Sequence, residues 1–344
     1  MSGKLSRNLV GGVGHSVPKY AINETCSFSF LKSSKMGPSP SLSVIKSENA
    51  KISFQYTPVA VFVGGTSGVG RALAEAFARY TKGNTCIIIV GRNRVAAESI
   101  IASLPRAGPS VKHEFISCDV SLFKNVRQAT SVILAKYAKI NFLVLTTGVL
   151  EFARETTEDG IDRTMGLFYY SRWMFIHELI PALVRARTDN EDAKVLSVAS
   201  AGLGGKINLA NLWLKNTSYV SFLQSISTYN DLMVDGFAFH YPSITFIHCN
   251  PGWVRTPLGS GSSSLLFRIW SFLVNSPWSP LSYFPYSPED CAENQLYGML
   301  FTASKPSAWR IGQRGNDLGK QGYCGDEVAR DVLWEHTLEV TGSK

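Results

Sequence analysis

From Val59 onward the chain alternates between short apolar runs and longer segments whose apolar residues recur every three or four positions. Residues 59–63, 85–90, 113–117, 141–146, 195–199 and 244–249 form the short runs. In most of them hydrophobicity is continuous, the pattern of strands buried on both faces of a parallel sheet. Between them lie helical patterns. Ala72, Leu73, Ala76 and Phe77 fall on one face after Gly70, residues 95–104 are closed by Pro105, and a further segment begins near Leu122. Residues 161–187 predict one long helix with Pro181 near its last turns, and residues 221–240 predict another. Ser287-Pro-Glu-Asp starts a helix through Leu300, and residues 309–311 predict a final strand. Strand and helix in alternation predict an α/β fold with one doubly wound parallel sheet and helices on both faces.

The first strand runs directly into Gly64-Gly65-Thr66-Ser67-Gly68-Val69-Gly70, and a helix follows at once. Gly68 and Gly70 stand where the free N–H groups of that helix face outward, and a Cβ there would hold a pyrophosphate away from the backbone. The spacing Gly64-x-x-x-Gly68-x-Gly70 resembles the short-chain dehydrogenase/reductase family. Further stations match in order: Cys118-Asp119-Val120, Gly148, Ser200, Tyr229 and Pro251-Gly252-Trp-Val-Arg-Thr256. The resemblance runs from about Val59 to about Arg310 and is to a divergent, fungal-type subgroup. It implies a single Rossmann-type domain over residues 58–344, preceded by an extension over 1–57. It also implies cofactor contacts at Gly64, Thr66, Ser67, Gly68, Val69, Gly70, Asp119, Gly148, Tyr229, Pro251, Gly252, Val254 and Thr256, with catalysis by Ser200 and Tyr229.

Gly91-Arg92-Asn93 ends the second strand. An acidic residue there would hold the ribose hydroxyls of NAD, whereas an arginine pairs with a 2′-phosphate. Arg92 therefore points to NADP(H), with Arg71 placed to assist; a solvated loop arginine is the plain alternative. Asp119, where the family contacts adenine, is also suited to cap the helix that follows.

Several stations depart from the family pattern. Its Asn-Asn-Ala-Gly becomes Leu145-Thr146-Thr147-Gly148, and its helix asparagine falls at Phe168, so the ordinary proton relay is broken. Arg172 lies one turn later on the same face, where a surface or ion-pairing role is expected over a role in the site. The lysine expected one turn after Tyr229 is Met233. A tyrosine left at its ordinary pKa of about 10 donates protons at neutral pH but is a poor base, so reduction is favoured over oxidation. Ser200 and Tyr229 are 29 residues apart, more than the family interval, which requires inserted loop within 204–213.

With 344 residues and 45% hydrophobic content, the chain can bury a large core. Its net charge of +8 owes much to residues 1–35, where five Lys/Arg face a single Glu, so the charge gives no support to nucleic-acid binding. Residues 1–35 read as disordered, with a transit peptide as the lesser reading, and Met36 looks like a natural start. Cys86, Cys118 and Cys249 fall in or beside central strands and read as buried reduced thiols, and no metal-ligand spacing is present. With no transmembrane segment or signal peptide in the pattern, a soluble cytoplasmic protein is expected. Residues 258–286 occupy the place of the family's substrate lid. Leu265, Leu266, Ile269, Trp270 and Leu273 form an apolar helical face that covers a lipophilic substrate, touches a membrane surface peripherally, or packs in the core.

The leading expectation is an NADP(H)-dependent oxidoreductase interconverting a carbonyl and an alcohol on a small lipophilic substrate, in the manner of secondary metabolism. The alternatives are a cofactor-binding protein without redox turnover, and a non-redox acid catalyst, isomerase or cyclase, using Tyr229. A homo-oligomer is left open.

Overall fold

A computed structural model describes residues 39–149, 154–256 and 286–343, with positions 265, 268, 269, 272 and 273 between them. Seven parallel strands are ordered β3-β2-β1-β4-β5-β6-β7: β1 (Val59–Val63), β2 (Cys86–Gly91), β3 (Glu114–Ser117), β4 (Phe142–Leu145), β5 (Lys194–Val198), β6 (Thr245–Cys249) and β7 (Ala308–Ile311). This is the Rossmann-type doubly wound sheet that the pattern predicts. Every residue of β1, β4, β5 and β6 is buried, which is why these runs show no polar alternation.

Successive residues of a strand point to opposite faces, and the chain builds one core on each. Val59, Val61 and Val63 pack with α4 (Phe123–Lys136), α6 (Ser171–Thr188) and α7 (Tyr219–His240). Ala60 and Phe62 pack with α2 (Gly68–Tyr80), α3 (Arg94–Ser103) and α8 (Pro288–Tyr297). The C-terminal α9 (Glu327–Thr341) lies over α7, with Trp334 edge-on to Trp173 and Phe237.

Part of the segment before β1 is folded. Ser41 caps α1 (Leu42–Asn49), which packs on α8. There the buried Asn49 donates to Glu293 Oε2 at 2.7 Å, and Arg79 and Tyr80 meet the same carboxylate. The expectations of disorder over 1–35 and of a start at Met36 lie outside the described residues.

Two local readings are corrected, the helix cap at Asp119 and the burial of Cys86, which is half-buried. The helix predicted over 161–187 is present as one unbroken run from Arg163 to Thr188, in which a single turn α5 (Arg163–Met165) passes through a π-helical turn, Gly166–Tyr170, into α6. Asp119 does not cap α4; its carboxylate accepts from Ser121 N and Oγ, and Asp159 supplies the acceptor for Phe123 N at 2.7 Å. Four cysteines, Cys86, Cys118, Cys249 and Cys291, are free, and the last three are buried. No helix among the described residues is long and apolar enough to cross a membrane.

Candidate active site

The strand order reverses between β1 and β4, so the crevice outside their C-terminal ends is the topological switch point, where such sheets take ligands. The glycine turn sits there. Gly64 (φ +89°) and Gly68 (φ +54°) hold left-handed backbone that other residues adopt at a penalty. A Cβ on Gly70 would lie 2.4 Å from Thr146 Oγ1 and 2.6 Å from Gly64 O, so only glycine lets α2 start this close to the β4 end. Thr146 Oγ1 also donates to Val63 O at 3.0 Å, tying the two strand ends where the family uses an asparagine. Ser67, the residue before α2, makes no side-chain cap bond, which leaves the first-turn N–H groups of a 13-residue helix free of side-chain acceptors. Exposed Ser67 and half-buried Thr66, Gly68 and Val69 border that end. Uncapped N–H groups behind a glycine turn fit a pyrophosphate.

The other residues expected to meet the cofactor follow the C-terminal ends of neighbouring strands. Arg92 is exposed beside Gly91 and takes no part in any ion pair among the described residues, whereas Arg71 is paired with Glu75 at 2.8 Å. Asp119 sits half-buried after β3. Gly148 departs from expectation: a Cβ there would meet the Phe168 ring at 2.4 Å, so that side of the glycine is filled by Phe168 and is not open to a cofactor. Gly252 (φ +74°), following Pro251, is glycine because a Cβ would meet Gln313, and its N–H donates to Asn250 Oδ1 at 2.9 Å. Val254 bridges to Tyr286, and half-buried Thr256 lies two residues further on.

Ser200 lies just past the end of β5. Its N–H donates to His248 Nε2 at 3.1 Å and its carbonyl accepts from Ser227 Oγ at 2.7 Å. Among the described residues its own hydroxyl meets no partner, so it is available to a ligand.

Tyr229 is elsewhere. It is fully buried, edge-on to Tyr169 at 5.3 Å, and its hydroxyl donates to Leu212 O at 3.0 Å. Burial pushes its pKa well above the usual tyrosine range. The α7 residues that meet the Ser200–Gly205 loop are Gln224, Ser227 and Thr228: Gly205 packs against Gln224, and Thr228 Oγ1 bonds both backbone atoms of Gly205. At about 100° per residue, Tyr229 stands roughly 200° around the helix from Ser227. The structure therefore does not bring Ser200 and Tyr229 together, and neither the acid role nor the ribose contact expected of Tyr229 has access to the crevice. Met233 is likewise in the core, so it does not stand where a catalytic lysine would. On the face that meets Ser200, the pair four residues apart is Ser227, whose hydroxyl donates to Ser200 O, and Asp231, which holds the His248 ring that accepts the Ser200 N–H.

Arg172 overturns the surface expectation: it is 1% exposed. Its Nη1 donates to Ser197 Oγ and Val198 O, both at 2.8 Å, its Nη2 to Thr147 O at 2.5 Å, and its Nε to Leu167 O at 3.3 Å. The guanidinium thus clamps the ends of β4 and β5 under the crevice. Burial pulls its pKa down to about 9, which still leaves it charged at neutral pH, and none of its hydrogen-bond partners is a carboxylate. Ser197 Oγ passes the network to Asn230 Oδ1, and Asn230 Nδ2 donates to Phe168 O within the π-turn.

A second buried network was not read from sequence. His248 Nδ1 lies 2.6 Å from Asp231 Oδ1, and Arg310 Nε donates to the same oxygen at 2.8 Å. The available signal was a charged or ionisable residue inside an apolar run, at His248 in β6 and Arg310 in β7. Of the apolar lid face, Leu266 and Trp270 lie outside the described residues, while Leu265, Ile269 and Leu273 are exposed, as is Phe272. Leu265, Ile269 and Leu273 are therefore not packed in the core.

The short chain dehydrogenase family model matches residues 58–213. An oxidoreductase of Emericella nidulans is 36% identical over 298 residues, spanning 86% of this chain and 85% of its own. The polyprenol dehydrogenase of Mus musculus is 24% identical, over 83% of this chain and 84% of its own. An alcohol dehydrogenase from the archaeon Thermococcus sibiricus, solved with 5-hydroxy-NADP, shares the fold with a TM-score of 0.55 at 19% identity, over 74% of this chain and 95% of that one. With the glycine turn set at the switch point of a parallel sheet, these likenesses make the chain a member of the short-chain dehydrogenase/reductase family.

Proposed function

We propose that the chain is an NADP(H)-dependent oxidoreductase that interconverts a carbonyl and an alcohol on a lipophilic small molecule. The carrying observation is the uncapped start of α2 behind Gly64–Gly70, at the same C-terminal end of the sheet as the Ser200 hydroxyl, which meets no partner among the described residues. The preference for NADP(H) is supported by the charge of Arg92, exposed beside the end of β2, which can pair with a 2′-phosphate. A bound nicotinamide would supply or accept the hydride. Ser200 would hydrogen-bond the reacting oxygen, and in reduction that oxygen takes a proton relayed from water through the Ser200 hydroxyl, since Tyr229 is out of reach. A lipophilic substrate is supported by the exposed apolar residues Leu265, Ile269, Phe272 and Leu273, and by the polyprenol named for the mouse relative.

The burial of Tyr229 specifically favours a second reading, a cofactor-binding protein without redox turnover. One experiment separates the two. Binding of NADPH and NADH is measured by fluorescence, and NADPH absorbance is followed with a panel of lipophilic ketones and aldehydes. Loss of absorbance with any of them supports the enzyme; tight binding with none consumed supports the second reading; failure to bind either nucleotide refutes both.

A further inference from the structure

Ser200 stands where the sheet's own hydrogen bonding has run out. The last such bond at this edge is Ala199 N to Cys249 O, at 2.9 Å. Beyond it the two backbone groups of Ser200 are held by side chains, its carbonyl by Ser227 and its N–H by His248. A backbone N–H has no alternative role, so the atom it meets, His248 Nε2, must carry a lone pair. The proton of a neutral imidazole is then on Nδ1, where Asp231 Oδ1 accepts it at 2.6 Å. Arg310 fixes that carboxylate in turn, with its remaining nitrogens spent on Gly319 O and Gln321 O at 2.7 and 2.8 Å. His248 and Asp231 are both fully buried.

We propose that His248 is the positioning residue for Ser200: locked in its Nδ1–H form by Asp231 and Arg310, it accepts the Ser200 N–H and so sets where the Ser200 hydroxyl points. The proposal rests on the reading of Ser200 as the residue that meets the reacting oxygen. The chain runs Arg310, Asp231, His248, Ser200, from β7 and α7 through β6 to the end of β5. Every link has a fixed donor and acceptor, so a change at Asp231 is felt at Ser200 two hydrogen bonds away. The groups facing the imidazole from other elements are Asp231, Arg310 and Arg172. Burial lowers its pKa, with both arginines adding to that and Asp231 opposing it, which keeps the ring neutral and able to accept.

A purely structural role and a positioning role part company at two substitutions. Asparagine reaches as far as Nδ1, so His248→Asn keeps a donor for Asp231 and loses the acceptor for Ser200. Glutamine reaches toward Nε2, so His248→Gln keeps that acceptor and loses the donor. If the network only satisfies Asp231 and Arg310, the Asn variant is the better enzyme; if it positions Ser200, the Gln variant is. A third substitution acts on the tautomer while also weakening the pair with Arg310. In Asp231→Asn the amide N–H can face Nδ1, driving the ring proton to Nε2, where it would oppose the Ser200 N–H donor to donor.

The experiment uses the full chain with histidine 15N labelling. In wild type, the imidazole of His248, assigned as the resonance lost in His248→Gln, is expected in the Nδ1–H form, with slow deuterium exchange in the peptide containing Ser200. Exchange is expected to accelerate in His248→Asn and Asp231→Asn and to stay slow in His248→Gln. With whichever carbonyl consumes NADPH, His248→Asn and Asp231→Asn are expected to lower kcat by about ten- to a hundredfold while NADPH Kd holds within about twofold, and His248→Gln to exceed His248→Asn by about tenfold. An Nε2–H ring in wild type, or a Gln variant no better than the Asn variant in exchange, overturns the proposal whether or not the protein turns over. A chain that binds no nucleotide refutes the functional reading instead, and leaves the tautomer and exchange results to stand or fall separately.

Discussion

Replacing Arg172 tests how the crevice is held together, and it makes an ordering that runs against chemical similarity. The guanidinium donates four hydrogen bonds in a fork that spans the ends of β4 and β5. Arg172→Met removes the charge and with it the penalty of burying a cation, but strips a donor from Thr147 O and Val198 O. Leu167 O keeps the hydroxyls of Thr147 and Ser171. Two buried carbonyls left short, at about 1–3 kcal/mol each before relief of the desolvation penalty, give a loss of about 2–4 kcal/mol. Arg172→Lys keeps a buried charge on one nitrogen that cannot bridge Thr147 O and Val198 O as the fork does, so it retains the penalty and loses most of the bonds. That loss is about 3–5 kcal/mol. Urea unfolding of the full-length variants measures both. Stability should fall in the order wild type, Arg172→Met, Arg172→Lys. A lysine variant as stable as the methionine one, or either within about 1 kcal/mol of wild type, would refute the reading of Arg172 as a counterion-free clamp.

Three further outcomes are expected. Arg92→Asp should weaken NADPH about ten- to a hundredfold while sparing NADH, as loss of a charge-assisted phosphate contact requires, and equal loss of both nucleotides in titration would remove the case for NADP(H). Gly70→Ala puts a Cβ 2.4 Å from Thr146 Oγ1 and 2.6 Å from the Gly64 carbonyl, so nucleotide binding measured by calorimetry should be lost or fall by at least about a hundredfold. Tyr229→Phe removes a buried hydroxyl from Leu212 O and should cost about 1 kcal/mol in unfolding with kcat unchanged; abolished turnover in a folded variant would restore the tyrosine as the acid.

The fold was legible because burial on both faces of a parallel sheet removes polar residues from the strands, and the glycine turn was legible because its constraint is local. Gly64, Gly68 and Gly70 answer to backbone angle and to atoms within a few ångströms. The surroundings of Ser200 were not legible in the same way. Tyr229 matched by residue type and approximate place, but a helix presents its residues by angle, and only contacts from the Ser200–Gly205 loop reveal that Gln224, Ser227 and Thr228 form the facing side. The interval of 29 residues between Ser200 and Tyr229, and Met233 where the lysine was expected, were the sequence signs that the register differed. Arg172 misled for a related reason. A long cation on a helix ordinarily reaches water, and its burial follows only from carbonyls that the ends of β4 and β5 turn inward, which no single helix encodes. His248 and Arg310 carried a signal, being ionisable residues inside apolar strands. Yet their partner Asp231 comes from α7, so the site's electrostatics become readable only when three separate elements are docked. Constraints within a few residues were written in the chain, whereas those shared between elements had to wait for the packing. The setting of Ser200 is of the second kind, since both its backbone atoms are held by side chains at least 27 positions away.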